Sequence, residues 1–476
     1  MILRDRGWKA YQEEFLKRKR RYPSGWWARL KREWNRIRKL NWVPVLNKLN
    51  RPMGFLILIT SGIALLGWFS SNDLFRDPSL GPGHPVPVKG INDAQWKGIE
   101  VGPLFISDSW VRFKNNYKPT FQDVQNDQFV TQLPEGVDIT YSLNVPLQRK
   151  IEKVMKKYRL PYGMLIAMDP KTGRILAMVD YSRVEPDHEN LNLRSSYPAA
   201  SVFKLVTAAA GIEKKKVTPE TQIAFHGGLW KLGPRNWKDN PKRDRDHISL
   251  KYALAKSCNV AFAKVALRWL GEEGLQCFAE SFWFNKPIPF EFPVETSKAQ
   301  FGPSEQSIAL TAAGMGKVGL SPLHGAMIAS AIANNGVMMV PKLVEKVSWD
   351  NGSEIYRFKE EPMTQIVSPQ TADQLKEMMA YTVTKGTSRK AFHTRRGTPY
   401  IKGVSIGGKT GSLRGNDPKG KYSWFVGMAP LDDPEIALAA LIVNKPIWHI
   451  KASHLAKEAF DAYFKIKESQ TIALNK

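Results

Sequence analysis

Cysteine is scarce in this chain: only Cys258 and Cys277 occur in 476 residues. That excludes a disulfide framework and leaves two buried thiols or a single bridge. Acidic residues are also under-represented, 44 against 70 Lys and Arg, for a net charge of +26. No internal repeat and no long low-complexity segment is present, and 43% hydrophobic with 11% aromatic residues excludes a disordered chain. Charge is missing altogether between Pro52 and Asn72. No small-residue cleavage site of the A-x-A kind follows, and the segment leading into this uncharged stretch is far too long for a secretory signal.

What is present begins with a basic tail. Residues 1–51 carry 16 Lys and Arg against four acids, with Trp8, Trp26, Trp27, Trp34 and Trp42 among them. Interleaved Arg and Trp would suit nucleic acid, but the apolar run Met53 to Phe69 that follows argues against that partner. Seventeen residues is the short end for a membrane span. The positive-inside rule then puts the tail in the cytoplasm, where anionic lipid attracts it, and puts the rest of the chain outside. The organisation expected is a basic cytoplasmic tail (1–52), a single transmembrane helix (53–71), an extracytoplasmic or periplasmic linker with a small β-containing pedestal (72–136) and a catalytic domain (137–476). Localisation is then the inner (cytoplasmic) membrane, single-pass, with the catalytic domain extracytoplasmic.

Within that last region, Val137 to Leu143 reads as a strand and Val145 to Tyr158 as a helix. Two apolar runs, Gly163 to Met168 and Arg174 to Val179, flank Asp169-Pro170-Lys171-Thr172-Gly173, a hairpin signature. From Ser201 to about Gly336 the pattern is mainly helical, with loops at 226–247 and 287–303. Strand character returns at Val337 to Val347, and a helix is expected over Pro369 to Lys385. Three late strands follow, at Gly403 to Thr410, Tyr422 to Ala429 and Glu435 to Val443, then a closing amphipathic helix over His449 to Phe464. Early and late strands thus bracket a helical insert. The class is mixed α/β (α+β), with one sheet assembled from distant parts of the chain.

The chemistry centres on Pro198-Ala199-Ala200-Ser201-Val202-Phe203-Lys204. Residues three apart share a helix face, so the Lys204 amine can reach the Ser201 hydroxyl and take its proton if kept neutral. Ser257-Cys258-Asn259 and Lys409-Thr410-Gly411-Ser412 follow in order. Each is weak alone, because Lys-Thr-Gly also occurs at Lys171-Thr172-Gly173 and Ser-x-Asn at Ser70 and Ser142. Context separates the copies. The earlier Lys-Thr-Gly follows Asp169-Pro170 in a turn, whereas the later one is read at the end of a strand among small residues, where a substrate backbone could approach. His226, His247 and His449 have no part in a Ser-Lys mechanism and are read as surface or core.

Taken together these motifs resemble the transpeptidase domain of penicillin-binding proteins, in the serine β-lactamase-like superfamily. Further matches are Asp169 to Ala177, Gly314-Met315-Gly316 through Ser321-Pro322-Leu323, Ala333-Asn334-Asn335-Gly336 and Trp424-Phe425-Val426-Gly427; the similarity covers about residues 137–466. The resemblance implies a five-stranded antiparallel sheet covered by helices, with a helical subdomain. It implies a serine-type D,D-transpeptidase of peptidoglycan synthesis, with a part in building the cell wall and cell shape. Ser201 would be acylated by a D-Ala-D-Ala stem peptide and Lys204 would act as base. Ser257, backed by Lys409, would relay a proton, and Asn259 would bind the peptide backbone. Lys409, Thr410 and Ser412 would hold the terminal carboxylate beside Gly411, and the Ser201 and Ser412 N–H groups would form the oxyanion hole. β-Lactams would be covalent inhibitors, and no metal or organic cofactor has a role.

Ser412 stands where the family usually has Thr, which keeps the hydroxyl. Ser321 and His324 replace Thr and Gln, read as packing. A glycosyltransferase domain is not recognisable, so a separate glycan polymerase is expected as partner. The alternatives on this scaffold are a D,D-carboxypeptidase, a β-lactamase-like hydrolase or a non-catalytic β-lactam sensor. Glu272-Glu273-Gly274-Leu275-Gln276 lacks the Asn of the deacylation motif of one β-lactamase family and lies too close to Ser257.

Overall fold

The computed structural model describes residues 121, 123–133, 136–188, 190–445 and 448–474. The expected cytoplasmic tail, the expected span and the expected linker up to residue 120 lie outside the described residues. Among the described residues no helix is long and apolar enough to cross a membrane.

In chain order the elements are β1 (Val124–Gln125), β2 (Gln128–Leu133), β3 (Val137–Tyr141), α1 (Val145–Lys157), β4 (Tyr162–Met168), β5 (Ile175–Tyr181) and α2 (Lys204–Glu213). The helical half follows with β6 (Gln222–Phe225), β7 (Asp246–Ser249), α3 (Leu250–Lys256), α4 (Asn259–Val265), α5 (Gly271–Ser281), α6 (Glu305–Ala312) and α7 (Pro322–Ala333). The chain closes with β8 (Val337–Met339), β9 (Val344–Trp349), β10 (Glu354–Arg357), β11 (Pro362–Gln365), α8 (Pro369–Thr384), β12 (Gly407–Asn416), β13 (Lys419–Ala429), β14 (Ile436–Asn444) and α9 (Ala452–Leu474).

The main sheet runs β12-β13-β14-β4-β5, with every neighbour antiparallel. β14 sits in its centre and all nine of its residues are buried. Alternate side chains serve two cores. Met164, Ile166, Trp424, Val426, Ala439 and Leu441 face α7, while Leu165, Phe425, Leu438, Ala440 and Ile442 face α1 and α9. Local signals place these helices. Asn144 caps α1 by accepting from the Leu147 N–H at 2.9 Å, and Lys156 and Lys157 complement the dipole of its last turn. Ser321 caps α7 in the same way, with Pro322 in its first turn, and every residue of α7 is buried. His324 is packed as read: Nε2 bonds the Phe282 carbonyl oxygen at 2.7 Å, and burial pulls its pKa down to about 4.

A second antiparallel sheet, β1-β2-β3-β9-β10, joins the segment before residue 142 to the segment after 343. The boundary expected at 136–137 falls in the turn of the β2–β3 hairpin. Val337 to Val347 is not one strand: β8 pairs with β11, and β9 enters the second sheet. Pro341, which lacks an N–H, separates them. The loop expected at 226–247 begins and ends in a small hairpin, β6 with β7. Both cysteines are free, Cys258 buried and Cys277 half-buried.

Candidate active site

The nucleophile turn is a short 3₁₀ segment, Ala200–Phe203, that runs directly into α2. Ala200 adopts φ +49, the left-handed region that a residue with a Cβ rarely occupies. The surrounding backbone holds it there. A Cβ on Gly314 would lie 1.9 Å from the Ala200 carbonyl oxygen, and the Trp424 indole N–H donates to the Pro198 carbonyl at 2.9 Å. Lys204 through Ile212 are all buried, whereas Ser201 stays half-exposed at the cleft.

Lys204 is fully buried, and its Nζ lies 2.8 Å from Ser201 Oγ, 2.8 Å from Asn259 Oδ1 and 2.5 Å from the Ala313 carbonyl oxygen. Burial pulls its pKa down from 10.5 to about 7. A neutral amine can donate to the two oxygens and accept from the hydroxyl, so the three contacts suit a base resting on a serine.

Ser257 caps α3 with φ +58, a second strained non-glycine residue at the cleft. Cys258 then caps α4, its sulfur accepting from the Ala261 N–H at 3.5 Å, so the position between Ser257 and Asn259 has a structural task. The Asn259 amide is shared: Oδ1 accepts from Lys204, and Nδ2 donates to the Trp230 carbonyl oxygen at 2.6 Å.

Lys409 is fully buried in β12, with Nζ 3.2 Å from Ser257 Oγ and 2.6 Å from the Thr410 carbonyl oxygen. Burial, and then the neighbouring Lys204, hold its pKa well below the usual lysine value. Two amines, neither with a carboxylate partner among the described residues, thus converge on two serines. Lys-Thr-Gly lies near the start of its strand, not at the end. Gly403 at φ +71 precedes the pairing, and β12 continues as an exposed edge to Asn416 because only β13 covers it. Gly411 lies against the nucleophile turn, where a Cβ would come 3.3 Å from Ala200 Cβ. Thr410 and Ser412 alternate to the other side of the strand from Lys409. Thr410 Oγ1 meets Thr387 Oγ1 at 2.5 Å.

Ser201, Ser257, Asn259, Thr410 and Ser412 line one cleft of 360 Å³. Sequence reasoning missed Trp230, Thr387 and Lys451, which also line it. Trp230 is 66% exposed and is tethered by its indole N–H to the Lys256 carbonyl. Thr387 had one available signal, the preceding glycine: a Cβ on Gly386 would lie 2.3 Å from the Ala255 carbonyl oxygen. His226 lies away from these groups, against the carboxylate of Asp244, itself bonded to buried Lys264. Among the described residues no cluster of three or more His, Cys, Asp or Glu could hold a metal ion.

Comparison with known proteins supplies a context for this geometry. The peptidoglycan D,D-transpeptidase PbpA of Mycobacterium tuberculosis is 30% identical over 354 residues, covering 67% of this chain and 70% of that protein. Stage V sporulation protein D of Bacillus subtilis is 28% identical over 417 residues, covering 80% and 62%. Among solved structures, the imipenem acyl-enzyme complex of M. tuberculosis penicillin-binding protein A superposes with a TM-score of 0.59 at 26% identity, covering 68% of this chain and 79% of that one. The D,D-transpeptidase domain of a peptidoglycan glycosyltransferase from Eggerthella lenta gives 0.57 at 27% identity, covering 69% and 83%. Residues 163–465 match the family described as the penicillin binding protein transpeptidase domain, and with well over half of its length in that match the chain belongs to this family.

Proposed function

We propose that the chain is a peptidoglycan D,D-transpeptidase that works through an acyl-enzyme on Ser201. The observation that carries this is the desolvated Lys204 amine, 2.8 Å from Ser201 Oγ. Lys204 takes the hydroxyl proton as Oγ attacks the carbonyl of a D-Ala-D-Ala bond. The oxyanion forms against the Ser201 and Ser412 N–H groups. When the C–N bond breaks, the leaving D-alanine takes a proton through Ser257, kept in place by Lys409. Asn259, which already orients Lys204, directs its second Nδ2 hydrogen at Met315 Sδ, 3.7 Å away, a weak acceptor that the peptide backbone carbonyl can replace. An amine of another stem peptide then attacks the ester, loses its proton through the same base and leaves Ser201 as it began.

Around this chemistry we place residues 53–71 as a single membrane span with the tail 1–52 in the cytoplasm on anionic lipid. Residues 72–136 are a linker with a small pedestal, and 137–476 the transpeptidase domain outside the cytoplasmic membrane, beside a separate glycan polymerase. The run without charge and the basic tail before it support that topology. Protease added to spheroplasts should digest the chain after Asn72 and spare the tail.

The activity is tested by giving the protein a stem-peptide thioester together with a D-amino acid. Transfer to the amine should exceed hydrolysis. Hydrolysis alone would make it a carboxypeptidase-like hydrolase, and no turnover with intact penicillin labelling a sensor.

A further inference from the structure

The cleft does not stop at the edge of β12. Lys409 and Gly411 lie on the face toward Ser257 and the nucleophile turn, while Thr410 and Ser412 point to the opposite face, and Ser412 lies directly across from Ser423 in the register. That opposite face carries the start of the 23-residue helix α9. The same cavity that holds Ser201 is lined here by Thr410, Ser412, Ser423, Ser453 and Lys451.

These groups are poised for an anion. Ser423 Oγ accepts from the Ala452 N–H at 3.1 Å, which leaves its own hydrogen to donate. Ser453 is 5% exposed, and among the described residues its hydroxyl has no hydrogen-bond partner. Lys451 is exposed, and among the described residues no carboxylate pairs with it; its ammonium lies 6.0 Å from the Trp448 ring, which Lys421 flanks at the same distance. The positive end of α9 adds to this field. Lys409, by contrast, is fully buried on the other face and spends its contacts on Ser257 and Thr410.

We infer that this lobe behind β12 binds the terminal carboxylate of the donor peptide, with Lys451 as its charged partner and the hydroxyls of Thr410, Ser412 and Ser453 around it. The inference rests on the transpeptidase reading and moves the carboxylate's cation from Lys409, a motif residue, to Lys451, which belongs to no motif. Lys409 keeps the proton relay. Lys451 selects for substrates that end in a free carboxylate.

The test compares two acylating probes on the full-length protein, benzylpenicillin and its neutral methyl ester. The ratio of their second-order acylation rates should fall about tenfold in Lys451→Gln, and recover in Lys451→Arg. In the parent, added salt should lower the ratio; in Lys451→Gln it should have little effect. Ser453→Ala should lower the ratio less, with an unchanged melting temperature marking an intact helix start. A Lys451→Gln ratio equal to the parent's, or an equal loss with both probes, overturns the carboxylate lobe while the transpeptidase reading stands. A parent that neither probe acylates overturns both.

Discussion

The tripeptide Lys-Thr-Gly occurs twice in this protein, and the two copies have almost nothing physical in common. Lys171 is 55% exposed in the β4–β5 turn and pairs with Asp433 at 2.6 Å, which raises its pKa. It is thus solvated but not alone, as the turn chemistry by itself would have left it. Lys409 is fully buried, meets no carboxylate among the described residues and is held well below the usual lysine value. Thr172 receives the N–H of Arg174 at 3.3 Å and tightens the turn, while Thr410 meets Thr387 across the cleft. The glycines differ as well. Gly173 is required by φ +84 and by the Val340 carbonyl 2.3 Å from where a Cβ would sit. Gly411 has an ordinary backbone conformation and leaves room for the nucleophile turn. Burial and partners, not the letters, decide which copy can do chemistry.

The largest effect is expected at the base. Lys204→Met keeps the volume and removes the amine, and should slow penicillin acylation on the order of 10³-fold. The parent's acylation rate should rise with pH and level off above the Lys204 pKa of about 7, falling tenfold per unit below it, because only the neutral amine accepts the Ser201 proton. A rate that is flat from pH 5 to 8 would show that Lys204 is not the base.

Lys409→Ala should cost on the order of 10²-fold in acylation while the protein still melts cooperatively. A parental rate in this variant would break the contrast between the copies. The glycines give a crossed pair of effects. Gly173→Ala should lose about 1–3 kcal/mol of stability yet acylate normally once folded. Gly411→Ala should lose under about 1 kcal/mol but slow acylation, because its Cβ meets Ala200 and Trp424. Thermal melting and stopped-flow acylation on both variants would reveal a swap. The smallest effect belongs to Lys171→Ala, which forfeits one exposed ion pair worth less than about 1 kcal/mol and should acylate like the parent.

Much of this was legible in the sequence, and the reason is local. The β4–β5 hairpin, the helix capped by Asn144 and the run of apolar residues after Ser201 all announce themselves within a dozen residues. The order of the three motifs along the chain was equally visible. What escaped depends on segments meeting from afar. The pairing of β3 with β9 joins residues about two hundred apart, so the second sheet had no signature at either end. Thr387 reaches the cleft because Gly386 lets the chain pass against the Ala255 carbonyl, and Lys451 because α9 starts behind β12. Apart from that glycine, neither carries a local pattern. The strand containing Lys409 is displaced because its outer half, Ser412 to Asn416, has Leu413 as its one large apolar residue, as an exposed edge strand is free to have.

In the proposed reaction one hydroxyl, Ser201, is activated by a buried lysine three residues later. Penicillin labelling of the parent and of Ser201→Ala, followed by peptide mapping, tests it most directly. A single adduct is expected on the peptide that contains Ser201, and none in the variant. An adduct that persists in Ser201→Ala, or that maps to Ser257, would contradict it.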